Sequence, residues 1–198
     1  SCSQPRPLAM VPALPRAGRL ARVPAEARPS RRTVILTPNL RRALVVAALV
    51  LAADRASKIW VVQGLALANR LEIPVLDPWL NLRMAWNYGV NFGLFDLGAS
   101  GRWWLVGLAL AIVAALLVWV RGSRGWAAAI GGGAVIGGAI GNVWDRLQWG
   151  AVADFLNMSC CGIDNPFAFN IADAAIFGGV AVLILFAGEA PRGRRKRA

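Results

Sequence analysis

Four long apolar stretches, separated by polar and proline-broken segments, set the pattern of this chain. They run from about Ala43 to Val62, from Trp103 to Val120, from Trp126 to about Trp144, and from about Ile171 to Gly188. Each is close to the roughly 20 residues that cross a bilayer as an α-helix. The first is the least regular, because Asp54, Arg55 and Lys58 interrupt it. Between the first two stretches, LEIPVL, WLNLRMAW and NFGLF read as short strands broken by Pro74, Pro78 and Gly89. The connection from Leu147 to Phe169 reads as turns around Cys160-Cys161-Gly162 and Asp164-Asn165-Pro166. The expected fold is a mainly α membrane protein: a four-transmembrane-helix bundle with a small β-cradle between helices 1 and 2.

The ends differ from this body. Residues 1–38 hold most of the eleven Pro and many of the basic residues, with Glu26 as the one acid, and read as a disordered basic tail. Residues 39–189 form the membrane domain and 190–198 a second basic tail. The chain starts at Ser1, and the first tail lacks the continuous apolar core of a secretory signal. Arg31, Arg32, Arg41 and Arg42 precede helix 1, Arg121 and Arg124 lie between helices 2 and 3, and RGRRKR follows helix 4. With four spans all three fall on one side, which the positive-inside rule makes cytoplasmic; both termini are then cytoplasmic.

Composition supports the membrane reading: 57% of the 198 residues are hydrophobic and only 16% charged, so the net charge of +12 sits on an apolar body. The basic residues show no aromatic-interleaved face or zinc spacing, so nucleic acid is not an expected partner. The chain has no His, which removes imidazole bases, Ser-His dyads and HExxH metal sites. GASG (Gly98 to Gly101) lacks a His partner, and Ser57 diverges from Lys58 on a helix. The adjacent Cys160 and Cys161, with Cys2 far away, read as unpaired thiols packed at an interface.

What remains for chemistry is carboxylates. Asp54, Asp145, Asp154 and Asp173 lie in or beside apolar stretches, where a charge is costly and marks a functional site by default. With four spans, all four converge near the outer leaflet. Each has a plainer reading. Asp54 and Lys58, at i and i+4, form a neutralising ion pair. Asp145 belongs to a structural network with Arg146. Asn170 is an N-cap with Asp173 in the first turn of the last helix. Gly133, Gly137 and Gly141 let helices approach closely. Yet two acids at one depth can share a proton, so that one is ionised and the other protonated, as acid–base hydrolysis needs. A proton-coupled transporter also concentrates carboxylates, but internal repeats and midplane sites are then expected. A non-catalytic assembly factor would need no paired acids.

In order along the chain stand DRASK (from Asp54), NYGVNFG (from Asn87), GNVWDR (from Gly141), VADF (from Val152) and FNIAD (to Asp173). This set, over roughly residues 40–188, resembles the bacterial lipoprotein signal peptidase (signal peptidase II) family of intramembrane aspartic peptidases. The resemblance implies a catalytic pair, Asp154 and Asp173. It implies that Asp54, Lys58, Asn87, Gly89, Asn142, Asp145, Arg146 and Asn170 bind substrate or brace the site. The implied substrate is a prolipoprotein whose lipobox Cys already carries diacylglycerol, cut on the N-terminal side of that Cys in the bacterial inner membrane. The site would lie near the periplasmic leaflet. Membrane lipids are the other expected partner, the chain is expected to be a monomer, and no metal or cofactor is implied. Ser57 stands where the family usually has Thr, and Asn91 where it usually has Ala or Ser.

Overall fold

The computed structural model describes residues 36–89, 101–162 and 165–186. The two basic tails, the NFGLF segment with Asn91, Asp164 of the predicted turn, and Cys2 lie outside the described residues, apart from the last few positions of the first tail. Helix α1 spans Pro38–Lys58. Thr37 caps it, its hydroxyl accepting the Leu40 N–H at 3.3 Å, and Pro38 occupies the first turn where a missing N–H costs nothing. At its far end the winding loosens into a π-helical segment, Ile59–Gly64, followed by the short α2, Leu67–Arg70.

The chain then forms strands β1 (Glu72–Leu76) and β2 (Leu80–Asn87), as the sequence predicts. Helices α3 (Gly101–Gly122) and α4 (Trp126–Gln148) follow, and α5 (Ile171–Phe186) closes the described chain. Between α4 and α5, however, lie β3 (Val152–Asn157) and β4 (Ala168–Phe169). All four strands make one antiparallel sheet in the order β1-β2-β3-β4. The cradle is therefore not built between helices 1 and 2 alone: the segment expected to be only turns supplies half of it. In the β2–β3 pair Asn81 faces Asn157 and Ala85 faces Asp154, with a bulge between Leu82 and Ala85. The Asn157 amide holds the return loop by donating to the Asn165 and Phe167 carbonyls at 2.6 and 2.9 Å.

Among the described residues α3 and α4 are long and apolar enough to cross a membrane, and α5 is a shorter apolar helix. They differ in place. In α4, 72% of the most apolar window is buried against 17% in α3, so α4 is the central helix. Its glycines make this possible. A Cβ on Gly137 would stand 2.5 Å from the Ala47 carbonyl of α1, and one on Gly138 equally close to the Ala172 carbonyl of α5. Gly133 meets α1 in the same way, at Ala43. Backbone thus packs on backbone on two faces of one helix, the close approach that small residues permit in lipid. Ala47, Val113, Ile136 and Ala139 fill the space between α1, α3 and α4.

A second apolar cluster, Val61, Leu67, Leu82 and Phe155, fastens the sheet to the π-helical segment. Successive strand residues face opposite ways. With Phe155 committed to this cluster, Asp154 is turned to the other face of β3, toward the helix ends.

Candidate active site

Asp154 and Asp173 reach one place from two elements. Asp154 is on β3, and Asp173 is in the first turn of α5. Asn170 stands between them. Its side-chain amide donates to Asp154 Oδ1 at 2.7 Å, and its backbone N–H donates to Asp173 Oδ2 at 3.3 Å. The Asn170 side-chain oxygen accepts the Asp173 N–H at 2.9 Å. These reciprocal bonds are a capping box, so the plain N-cap reading of FNIAD holds in full. The same side chain also reaches Asp154, so the cap and the acid pair share one residue.

Each acid has one further amide partner. Asn87, on β2, donates to Asp154 Oδ2 at 3.2 Å. Asn142, on α4, donates to Asp173 Oδ1 at 2.9 Å. Gly89 donates its N–H to Asn87 Oδ1 at 3.1 Å and so fixes which way that amide points. Its φ of +153° suits glycine, and a Cβ there would crowd Leu105 at 3.2 Å. Asp154 is buried, and burial, followed by the neighbouring Asp173 charge, pushes its carboxyl from 3.8 up to about 7. The donors Asn87 and Asn170 act the other way and do not cancel it. The arrangement supplies two carboxylates, one with a proton held near neutrality, at an apolar boundary. Among the described residues no three His, Cys, Asp or Glu side chains group as metal ligands.

Beneath the pair is a closed ionic group. Lys58 Nζ lies 2.9 Å from Asp54 and 2.6 Å from Asp145, and all three residues are fully buried. The expected Asp54–Lys58 pair is present. The Asp145 partner is not Arg146, as the sequence reading had it, but Lys58 together with Arg55. Arg146 instead donates to the Asn142 carbonyl at 3.2 Å, one helical turn back, and its buried Nε has no partner among the described residues. Adjacent residues on a helix point about 100° apart, so Asp145 faces α1 while Arg146 faces the groove beside α3 and α5.

Sequence reasoning passed over Arg55, which it treated only as an interruption. Its guanidinium also bonds Gln148 at 3.4 Å and lies 5.4 Å from the centre of the Trp149 ring. Its place inside DRASK was the available signal. Ser57 donates to the Asp54 carbonyl at 2.8 Å, within its own helix. Cys160 and Cys161 are free and exposed, not packed at an interface.

The family model described as signal peptidase (SPase) II matches residues 46–187, most of the chain. The chain belongs to the signal peptidase II family. It is 40% identical to the lipoprotein signal peptidase of Caulobacter vibrioides over 144 residues, covering 72% of this chain and 84% of that protein. The lipoprotein signal peptidase of Methylorubrum extorquens is 43% identical over 148 residues, covering 73% and 84%. Two solved bacterial membrane enzymes share the fold. One aligns with TM-score 0.62 at 22% identity, covering 79% of this chain and 93% of that one. The other aligns with TM-score 0.60 at 24% identity, covering 72% and 89%. Signal peptidase II enzymes are aspartic peptidases that cleave signal peptides from lipoprotein precursors. The chain is accordingly a bacterial membrane peptidase with a mostly helical body and a small antiparallel sheet.

Proposed function

We propose that Asp154 and Asp173 are the acid–base pair that removes the signal peptide from diacylglyceryl-modified prolipoproteins, cutting on the N-terminal side of the lipidated Cys. The observation that carries this is the single Asn170 side chain bonded to both carboxyl-bearing residues. A water held between the carboxyls loses a proton to the ionised member as its oxygen attacks the scissile carbonyl carbon. The protonated member donates to the carbonyl oxygen. Collapse of the tetrahedral diol breaks the C–N bond as one carboxyl passes its proton to the leaving amine of the Cys and the other, now ionised, takes back a hydroxyl proton of the diol. Burial favours the proton on Asp154. Asn87, Asn142 and Asn170 hold the carboxyls in place, and Arg146 faces the substrate.

A groove of about 250 Å³ between α3, α4 and α5 supports the substrate reading. It is lined by Leu105, Leu108, Ile112 and Ile176 and ends at Asn142 and Arg146. An apolar segment lying there ends beside Asp173.

The proposed topology has four spans, α1, α3, α4 and α5, with the acids at the periplasmic leaflet and both termini cytoplasmic. Its support is the pairing of ends. Thr37 donates to the Arg121 carbonyl at 3.3 Å, and the Asn39 amide donates to Ser123 and Gly125, each at 3.0 Å. Arg41 and Arg42, in the first turns of α1, therefore share one end of the bundle with Arg121 and Arg124 at the α3–α4 link. The sheet and the acids lie at the opposite ends of these same helices. In this reading residues 39–189 act as one monomeric domain within membrane lipid, with 1–38 and 190–198 as basic tails.

The test is release of the signal peptide from a lipidated precursor by purified enzyme. Asp154→Asn and Asp173→Asn are each expected to insert normally and to lose cleavage. Full turnover by either variant refutes the pair, and proton-driven uptake in vesicles would favour a transporter.

A further inference from the structure

The buried ionic group touches the backbone next to each acid. Asp54 Oδ1 accepts the N–H of Ala172 at 3.2 Å, and Ala172 immediately precedes Asp173. Asp145 Oδ2 accepts the N–H of Ala153 at 3.2 Å, and Ala153 immediately precedes Asp154. Lys58 joins the two acceptors from its place in α1. The Ala153 and Ala172 side chains are fully buried, so neither backbone has room to drift. Gly141 completes the fit, since a Cβ there would stand 2.7 Å from Asp54 Oδ2.

Resting on the proposed acid pair, we infer that Asp54 and Asp145, tied together by Lys58, are positioning residues that set the spacing of Asp173 and Asp154 through the Ala172 and Ala153 N–H groups. The arrangement repeats itself: one buried aspartate holds the residue before one acid, and the other does the same for its partner. Asp145 belongs to α4, Asp154 to β3, Asp54 to α1 and Asp173 to α5. Helix packing and the Asn170 bridge already couple these elements, and a tie between the two buried acceptors couples them once more beneath the acids. Lys58 is that tie, and Arg55 balances the second negative charge. A neutral-helix solution with apolar side chains would pack as well but would leave both N–H groups without acceptors. Transition-state geometry tolerates little displacement, and a shift of about 1 Å at a distance from the chemistry costs on the order of 10²-fold in rate.

The experiment measures kcat and KM on a synthetic diacylglyceryl precursor peptide, normalised to the monodisperse folded fraction. The variants are Asp54→Asn, Asp54→Leu, Asp145→Asn and Asp145→Leu. Asn keeps an oxygen for the N–H and Leu does not. The Leu variants are expected to lose on the order of 10²-fold in kcat with KM within about threefold, and the Asn variants to recover part of that loss. The Asp54→Asn/Asp145→Asn double variant is expected to fall short of the product of the single effects, because both act through Lys58. Wild-type kcat per folded molecule in both Leu variants, or a rise in KM alone, overturns the inference. Should single variants not fold, Lys58→Met/Asp145→Asn removes the tie, keeps an acceptor for each N–H and leaves Asp54 paired with Arg55; a fall in kcat with KM within about threefold is expected, and wild-type kcat per folded molecule overturns the tie. Asp154→Asn and Asp173→Asn run in parallel: activity there overturns the acid pair itself, whereas inactivity there with normal kcat in the Leu variants overturns only the positioning role.

Discussion

Asn170 caps α5 and spans the two acids, and the two jobs separate by substitution. Ser is as good an N-cap as Asn but is too short to bond Asp154 as well. Asn170→Ser is expected to melt within a few degrees of wild type while kcat falls on the order of 10²-fold; a parallel loss of melting temperature and rate would reduce Asn170 to a cap. Asp154 makes a stability prediction with a defined sign. Folded, it keeps its proton up to about pH 7; unfolded, it releases it near 3.8. Well below pH 3.8 both states are protonated and folding carries no penalty. As pH rises toward 7 the unfolded chain is ionised first, so stability falls across that window and levels off above it. At full ionisation the loss is on the order of 4 kcal/mol. Asp154→Asn is expected to melt above wild type at pH 8 and with it near pH 4. Loss of the Asp154 proton through about pH 7 is also expected to form the alkaline limb of the rate profile.

At the scale of elements, α4 organises the molecule because its backbone, not its side chains, touches its neighbours. Gly137→Ala places a methyl group against the Ala47 carbonyl, which cannot give way as a side chain does. It is expected to cost about 1–3 kcal/mol. Gly178→Ala on α5 meets nothing within 4 Å and is expected to be neutral or slightly stabilising. Thermal melting of the two in detergent checks the contrast, and equal behaviour would remove the close-packing account. The four-residue glycine spacing was legible along the chain because it is a local repeat. The strand β3 was not. Its residues Val152 to Phe155 are all buried, without the in–out alternation that marks a strand covered on one face. Two-sided burial came from cover on both faces, with Phe155 packed on Val61 and Leu67 and Asp154 turned to Asn170 at the start of α5, contacts that no local window contains.

At the scale of the whole molecule, the proposed orientation rests on the start of α1 meeting the α3–α4 link at one end. Cys160 and Cys161 follow β3 at the end proposed to be periplasmic, and both are exposed. In a chain with Cys2 replaced by Ser, a membrane-impermeant maleimide is expected to label them from outside intact spheroplasts. An Arg124→Cys variant also lacking Cys160 and Cys161 is expected to react only after permeabilisation. The reverse pattern would invert the proposed orientation.

The apolar stretches, the basic ends and the glycine spacing follow from composition and period, which act over a helix length and need no partner, while the five ordered motifs carry the family resemblance. From them come the membrane class, the candidate acids and the glycine seam. The pairing of those parts is a different matter. Asp145 stands beside Arg146 in sequence and bonds Lys58 and Arg55 from another helix, because the helical rotation between neighbours turns one inward and the other to the groove. The Ala153 and Ala172 N–H groups carry no side-chain signal at all. They gain their role only because packed helices bring a buried carboxylate to each, where an amide without an acceptor would be costly.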